Sequence, residues 1–217
     1  MTMIDEIEIE CGMCGEMSVQ PVLLSTNTFG FPDLDLRPPS MQRETMNTWV
    51  MECPHCGYVA GRLNEESEVS PDFIKSERYL TCDGLEFKGK LAQRFYRNHL
   101  IMDEAGNVSA SFRNLLHCAW DCDDKGDAEN ARKVRKLALT YIDELIETAG
   151  EGKNNLLVIK SDLLRRAGEF DSLIREYENM TIGEEIYDAV IRFQIGKARL
   201  QDDACYTVED VHEDSSS

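Results

Sequence analysis

Four cysteines in two short turns, Cys11-Gly-Met-Cys14-Gly and Cys53-Pro-His-Cys56-Gly, are the residues of this chain whose chemistry is most sharply defined by type and spacing. A tetrahedral zinc ion takes four soft ligands, and each C-x-x-C turn offers two sulfurs to one ion. The glycine after each pair permits a positive φ and frees backbone N–H groups to donate to the thiolates. The doubled turn therefore predicts a zinc ribbon with one structural zinc per chain, held by Cys11, Cys14, Cys53 and Cys56. An ion with four protein ligands has no open position for water or substrate, which argues against hydrolysis at this centre.

Other reactive side chains are scattered. His117, Cys118 and Cys122 fall on one predicted helix, with the cysteines one turn apart, and Cys82 and His99 lie on neighbouring elements. They admit two readings, a second metal or redox site and buried thiols of a helical core; the apolar setting of Ala119-Trp120 favours the core. His55, between two ligands, is read as a solvent-facing or supporting residue. No P-loop, dinucleotide fingerprint or local nucleophile-base motif is present.

The elements that must position these groups change character along the chain. Residues 1–69 are read as the ribbon domain, 70–201 as an α-helical domain and 202–217 as an acidic, partly disordered tail, giving an α+β fold class. Glu6–Glu10 alternates strictly into Cys11, Met17–Gln20 can return beside it, and Thr48–Glu52 leads into Cys53, all as strands. Between them Thr28–Pro39 is a long, proline-broken insert. It is read as a loop folded over the ribbon, with a polar contact site of Asp33, Asp35 and Arg37 as the alternative. Beyond Ser70-Pro71, expected to start a helix, helical spacing recurs over 83–102, 109–123, 127–148, 154–167, 171–179 and 184–200, separated by glycines that suit helix C-caps. On the longest helix, Arg132, Lys133, Arg135 and Lys136 are read as a solvated face.

Asp162-Leu-Leu-Arg165-Arg166-Ala-Gly168-Glu-Phe170-Asp-Ser-Leu173-Ile-Arg-Glu-Tyr177 resembles the middle of a tetratricopeptide (TPR) repeat, in which a glycine ends the first helix and aromatics pack the return. Leu173 stands where that pattern has alanine. Trp120–Ala131 is a weaker copy, its Gly126 lying 42 residues before Gly168 against the usual 34 or so. On that register, Asn155, Val158, Asp162, Arg165 and Arg166 would line the concave face and read a protein or peptide partner. Paired arginines suit a carboxylate, with the chain's own acidic tail as a competitor. The whole order of a C-x-x-C knuckle, long insert, Trp49-Val50, Cys53-Pro-His-Cys56-Gly-Tyr58 and TPR-like helices resembles a family of uncharacterised microbial proteins, which implies this architecture and no reaction.

Charge bears on partners. The chain has 41 acidic against 23 basic residues, a net charge of −18, and residues 1–70 hold only Arg37, Arg43 and Arg62 among a dozen carboxylates. Without a basic footprint for phosphates, nucleic-acid binding is not expected. The acidic start MTMIDEIEIE is unlike a secretory signal, no run has the length of a membrane span, and the thiols suit a reducing compartment, so a cytoplasmic location is expected. Three function classes follow: an adaptor or scaffold with a structural zinc ribbon, a thiol, redox or metal enzyme using the accessory Cys and His, and a nucleic-acid or ribosome-associated ribbon. The first is preferred.

Overall fold

The computed structural model describes residues 2–214, among which there are nine α-helices and four strands in two small antiparallel sheets. The chain forms two compact units, one of Met1–Phe29 with Ser40–Ala131, the other of Gly30–Pro39 with Arg132–Ser217. Composition suggests a boundary at Ser70; the packing puts it at Ala131 and hands the middle of the insert to the second unit.

In the first unit β1 (Met3–Glu10) pairs with β2 (Met17–Ser25), and Glu6 stands opposite Pro21. β3 (Met51–Glu52) pairs with β4 (Val59–Ala60). β3 is shorter than the expected strand from Thr48, because Met46–Thr48 winds into a 3-10 turn and Trp49 donates its indole N–H to Thr45 Oγ1 at 3.0 Å. The helices of this unit are α1 (Ser40–Arg43), α2 (Glu77–Thr81), α3 (Lys90–Glu104) and α4 (Val108–Asp124), and α3 and α4 form a packed hairpin. Ser70 is not the first cap. Ser76 is, its Oγ accepting the Tyr79 N–H at 3.3 Å. The helix expected from residue 83 starts at Lys90, since Cys82 (φ 51°) and Asp83 (φ 52°) turn left-handed and break the register.

Why the ribbon joins the helices follows from size. Two short hairpins bury little apolar surface alone. Glu52, just before Cys53, is bracketed by Arg94 (2.9 Å) and Arg97 (3.1 Å) of α3, spaced one helical turn apart. Tyr79 Oη donates to the Gly57 carbonyl at 2.7 Å. Val50, Val59, Leu63, Tyr79, Phe95 and Leu100 are all buried.

α5 (Ala128–Thr148) carries the chain from the first unit into the second. There α8 (Glu185–Arg199) packs against both α6 (Lys153–Arg166) and α7 (Phe170–Tyr177). The α6–α7 turn is set by Gly168, whose φ of 79° lets its own N–H reach the Arg165 carbonyl (3.0 Å) and the Glu169 N–H reach that of Leu164 (2.8 Å). Leu34, Leu164, Leu173, Tyr177, Val190, Ile191 and Val211 share the core.

Two expectations are corrected in this unit. The insert does not fold over the ribbon: Asp33, Leu34, Asp35 and Arg37 are buried in the helical unit, where Leu34 donates to the Tyr206 carbonyl at 3.0 Å and Val208 to that of Pro32 at 3.1 Å. The described part of the acidic tail follows α8. It ends in α9 (Val208–Asp214), opened by a reciprocal cap in which Thr207 Oγ1 donates to Asp210 Oδ2 at 2.8 Å and accepts the Asp210 N–H at 3.4 Å. Residues 215–217 lie outside the described residues. Of the supposed solvated face on α5, Arg135 is buried.

Candidate metal centre

Each knuckle is a tight turn closed by its own backbone. Gly15 N–H donates to the Cys11 carbonyl at 2.7 Å and Cys11 N–H to that of Glu16 at 3.0 Å; Gly57 and Cys53 repeat the pattern, at 2.9 Å to Cys53 and 2.8 Å to Tyr58. Gly15 (φ 75°) and Gly57 (φ 76°) sit at the left-handed positions that turn each hairpin back. The amide hydrogens of Met13 and Cys14 point at the Cys11 sulfur, those of His55 and Cys56 at the Cys53 sulfur, and that of Tyr58 at the Cys56 sulfur. These are the donors that thiolates bound to a metal need.

The turns bring the four sulfurs together, all within 4.8 Å of one another. Cys11 Sγ lies 3.8 Å from Cys56 Sγ, and Cys14 Sγ lies 3.7 Å from Cys53 Sγ. Sulfurs about 2.3 Å from one zinc ion stand about 3.75 Å apart at the corners of a regular tetrahedron. A disulfide would need about 2.05 Å. The four cysteines thus form a possible metal site, and the donor set and spacing fit zinc. Cys11 and Cys53 are buried, Cys56 is half-buried and Cys14 is exposed, so the site lies just beneath the surface.

Without a cation such a cluster resists ionisation. Burial raises the Cys11 and Cys56 thiols, and the neighbouring sulfurs add to it. At Cys53 burial acts the same way, but the Cys56 and His55 amides prevail and bring the thiol to about 7, so Cys53 is the first thiolate. A divalent cation supplies the charge that lets the others follow. His55 is not part of the four-sulfur cluster and reaches back through Nε2 to the Met17 carbonyl at 3.2 Å.

The accessory groups do not converge. Among the described residues the four cysteines are the only group of three or more Cys, His, Asp or Glu side chains that meets at metal-binding distances. Cys82, Cys118 and Cys122 are buried in the helical part of the first unit, where burial raises the Cys82 and Cys118 thiols. His99 Nδ1 meets Ser111 Oγ at 2.7 Å, and burial depresses its pKa to about 4. The His117 ring packs at 5.0 Å against each of Trp49, Phe95 and Trp120, and burial with Arg113 nearby takes it to about 3. Both imidazoles are neutral at physiological pH.

Of the five positions assigned to a partner-reading face, only Asn155 is exposed; its Oδ1 accepts the Tyr187 hydroxyl at 2.9 Å. Val158 is core. Asp162, Arg165 and Arg166 are buried. Arg165 donates to Asp162 Oδ1 (2.9 Å), to Gln194 Oε1, and to the carbonyls of Asp202 (2.9 Å) and Ala204 (2.7 Å), and its guanidinium lies 5.2 Å from the Tyr206 ring centroid. Arg166 Nη1 faces Asp35 Oδ2 at 3.5 Å. Sequence patterns gave no hint of Gln194 or of the Glu52 clamp; the only available signal was Arg94 and Arg97 at helical spacing on a helix with an apolar face.

No helix among the described residues is long and apolar enough to cross a membrane. Compared with protein-family models, with curated proteins and with solved structures, the chain matches none.

Proposed function

We propose that this protein binds one zinc ion per chain in a closed, structural four-thiolate site and serves as an adaptor or scaffold whose TPR-like helices engage a protein or peptide partner in the cytoplasm. The observation that carries the reading is the cluster of four sulfurs, all within 4.8 Å of one another with two of the separations 3.7 and 3.8 Å, and with amide donors aimed at three of the four. Four protein ligands complete a zinc ion's shell, so the metal would fix the two hairpins and perform no chemistry on a substrate. His99, His117, Cys118 and Cys122 are engaged in packing and hydrogen bonding, which favours an adaptor over an enzyme built on them. The helix-glycine-helix turn at Gly168 and the aromatic Tyr177 in the core support the TPR-like reading, as does the resemblance to the uncharacterised microbial family. Its partner face would lie on the exposed side of α6 around Asn155, since Arg165 and Arg166 are occupied within the unit.

Elemental analysis of the purified full chain tests the first half. About one zinc per chain supports it; iron in its place, or no metal with the knuckles still protease-resistant, sinks it. Affinity purification under native conditions tests the second: the same partner should be recovered from the wild type and lost when the exposed face of α6 is altered. A catalytic turnover traced to the accessory thiols would replace the adaptor reading.

A further inference from the structure

β1 is the edge of a two-stranded sheet, and its hydrogen-bonding parity can be read from two observations. Cys11 donates to the Glu16 carbonyl, so the odd residues of β1 bond inward to β2. Glu6 stands opposite Pro21, which has no N–H to give, as fits a pair that does not exchange bonds. The backbone N–H and C=O groups of Glu6, Glu8 and Glu10 therefore point away from β2. The next even residue, Gly12, shows what this edge does when it meets another strand: its N–H donates to the Leu63 carbonyl at 2.7 Å. Upstream of that bond, no backbone group among the described residues takes the outward positions of Glu6, Glu8 and Glu10; the Glu6 N–H donates to the side chain of its neighbour, Asp5 Oδ1, at 2.9 Å, a bond that an incoming strand would replace.

Beside this stretch lies a cleft of about 720 Å³ whose lining is mixed, with Ile7, Ile9 and Trp49 as apolar members and Glu8, Glu10 and Arg62 as charged ones, the arginine paired to Glu65. Ile7 and Ile9 share a face of the sheet with Gln20, which is tied to the Glu52 carbonyl at 3.1 Å. Glu6, Glu8 and Glu10 project from the opposite face, all exposed, and neither β1 nor β2 contains a basic residue. The edge thus offers outward backbone groups that no other strand takes, three exposed carboxylates in a row, and a cleft in which Ile7, Ile9 and Trp49 form the apolar part.

We infer that the outer edge of β1 at Glu6–Glu10 is a docking site for an extended segment of a partner protein in which basic and apolar residues alternate, added as a further strand. Guest residues opposite Glu6, Glu8 and Glu10 carry the positive charge, and the intervening ones enter the Ile7, Ile9 and Trp49 cleft. A second copy of this chain is the wrong guest, because antiparallel pairing of β1 with β1 sets glutamate directly against glutamate. The inference rests on the adaptor reading and supplies the partner's chemistry for a surface in the first unit.

The test uses the full zinc-loaded chain and capped synthetic hexapeptides of alternating lysine and valine, glutamate and valine, or lysine and serine. Calorimetry should show the lysine-valine peptide binding at least tenfold tighter than either other peptide, with amide resonances of Glu6, Glu8 and Glu10 shifting. Glu8→Pro removes one outward N–H while sparing the β1–β2 ladder, and should weaken that binding at least tenfold with zinc content unchanged. The triple change Glu6→Lys, Glu8→Lys and Glu10→Lys keeps the edge and should reverse the preference to the glutamate-valine peptide. Equal affinity for all three peptides, no binding up to millimolar concentration, or a reversible dimer abolished by Glu8→Pro would overturn the assignment, the last in favour of a second copy. If partners are still captured while the peptides fail to bind, the edge is excluded and the adaptor reading stands.

Discussion

Arg165 holds the 202–204 segment by its backbone: Nη1 donates to the carbonyls of Ala204 at 2.7 Å and Asp202 at 2.9 Å, while Nη2 and Nε are engaged with Asp162 and Gln194. The arginine is fully buried, so it carries its charge into the core only because its fork meets a carboxylate, an amide oxygen and two carbonyls there. An exposed arginine could be removed at little cost; this one cannot. Arg165→Ala should destabilise the second unit by about 3–5 kcal/mol, because Asp162 is left as an unpaired buried charge. Denaturant unfolding would measure it, and limited proteolysis should show residues 202–214 cut first. Arg165→Lys should rescue only partly, since an ammonium cannot span the same acceptors.

Metal removal should act unevenly. The knuckles depend on four ligands for their geometry, whereas α6, α7 and α8 have their own core. Chelation, or Cys53→Ser, should release about one zinc per chain and expose the segment around residues 11–16 and 53–58 to protease while most far-UV helicity remains. Parallel loss of all helicity would contradict this.

Gly12 is sterically fixed. A Cβ there would stand 2.1 Å from the Glu65 carbonyl oxygen and 3.2 Å from that of Leu63, both backbone atoms that cannot swing aside. Gly12→Ala should break the 2.7 Å bond to Leu63, cost about 1–3 kcal/mol by overpacking, and speed zinc loss to a competing chelator. Gly150→Ala, at a glycine with open space around it and no left-handed φ, is the control.

Acid should weaken the first unit through its buried imidazoles. His99 has a folded pKa of about 4 against an ordinary 6.5, so between those values the unfolded chain takes up a proton that the folded chain refuses. Stability contributed by the neutral ring is present in full above about pH 6.5, falls as pH drops toward 4, and levels off below, for roughly 3 kcal/mol in all. Urea midpoints of the wild type and His99→Gln at a series of pH values should differ in slope across that window. Identical slopes would show that His99 does not report burial.

How much of this was legible in the chain depends on the range of the interaction. The knuckles were, because a C-x-x-C turn is a local object whose ligands lie three residues apart and whose glycine serves its own loop. The spans of α4 to α8 were, because helical periodicity and a glycine stop are also local, and the observed ends fall within a few residues of those expected. Pairing the two knuckles needed only that four thiols want one cation. What the sequence could not decide were the unions between distant segments. Asp35 meets Arg166 across 131 residues, Gln194 meets Arg165 across 29, and Glu52 meets Arg94 and Arg97 across 42 and 45. An acidic tail, a proline-broken insert and a pair of helical arginines look individually like solvated surface, since charge is cheapest in water. Only the tertiary structure brings complementary charges and open backbone carbonyls to one buried place, and burial then turns surface-like residues into the core of the second unit.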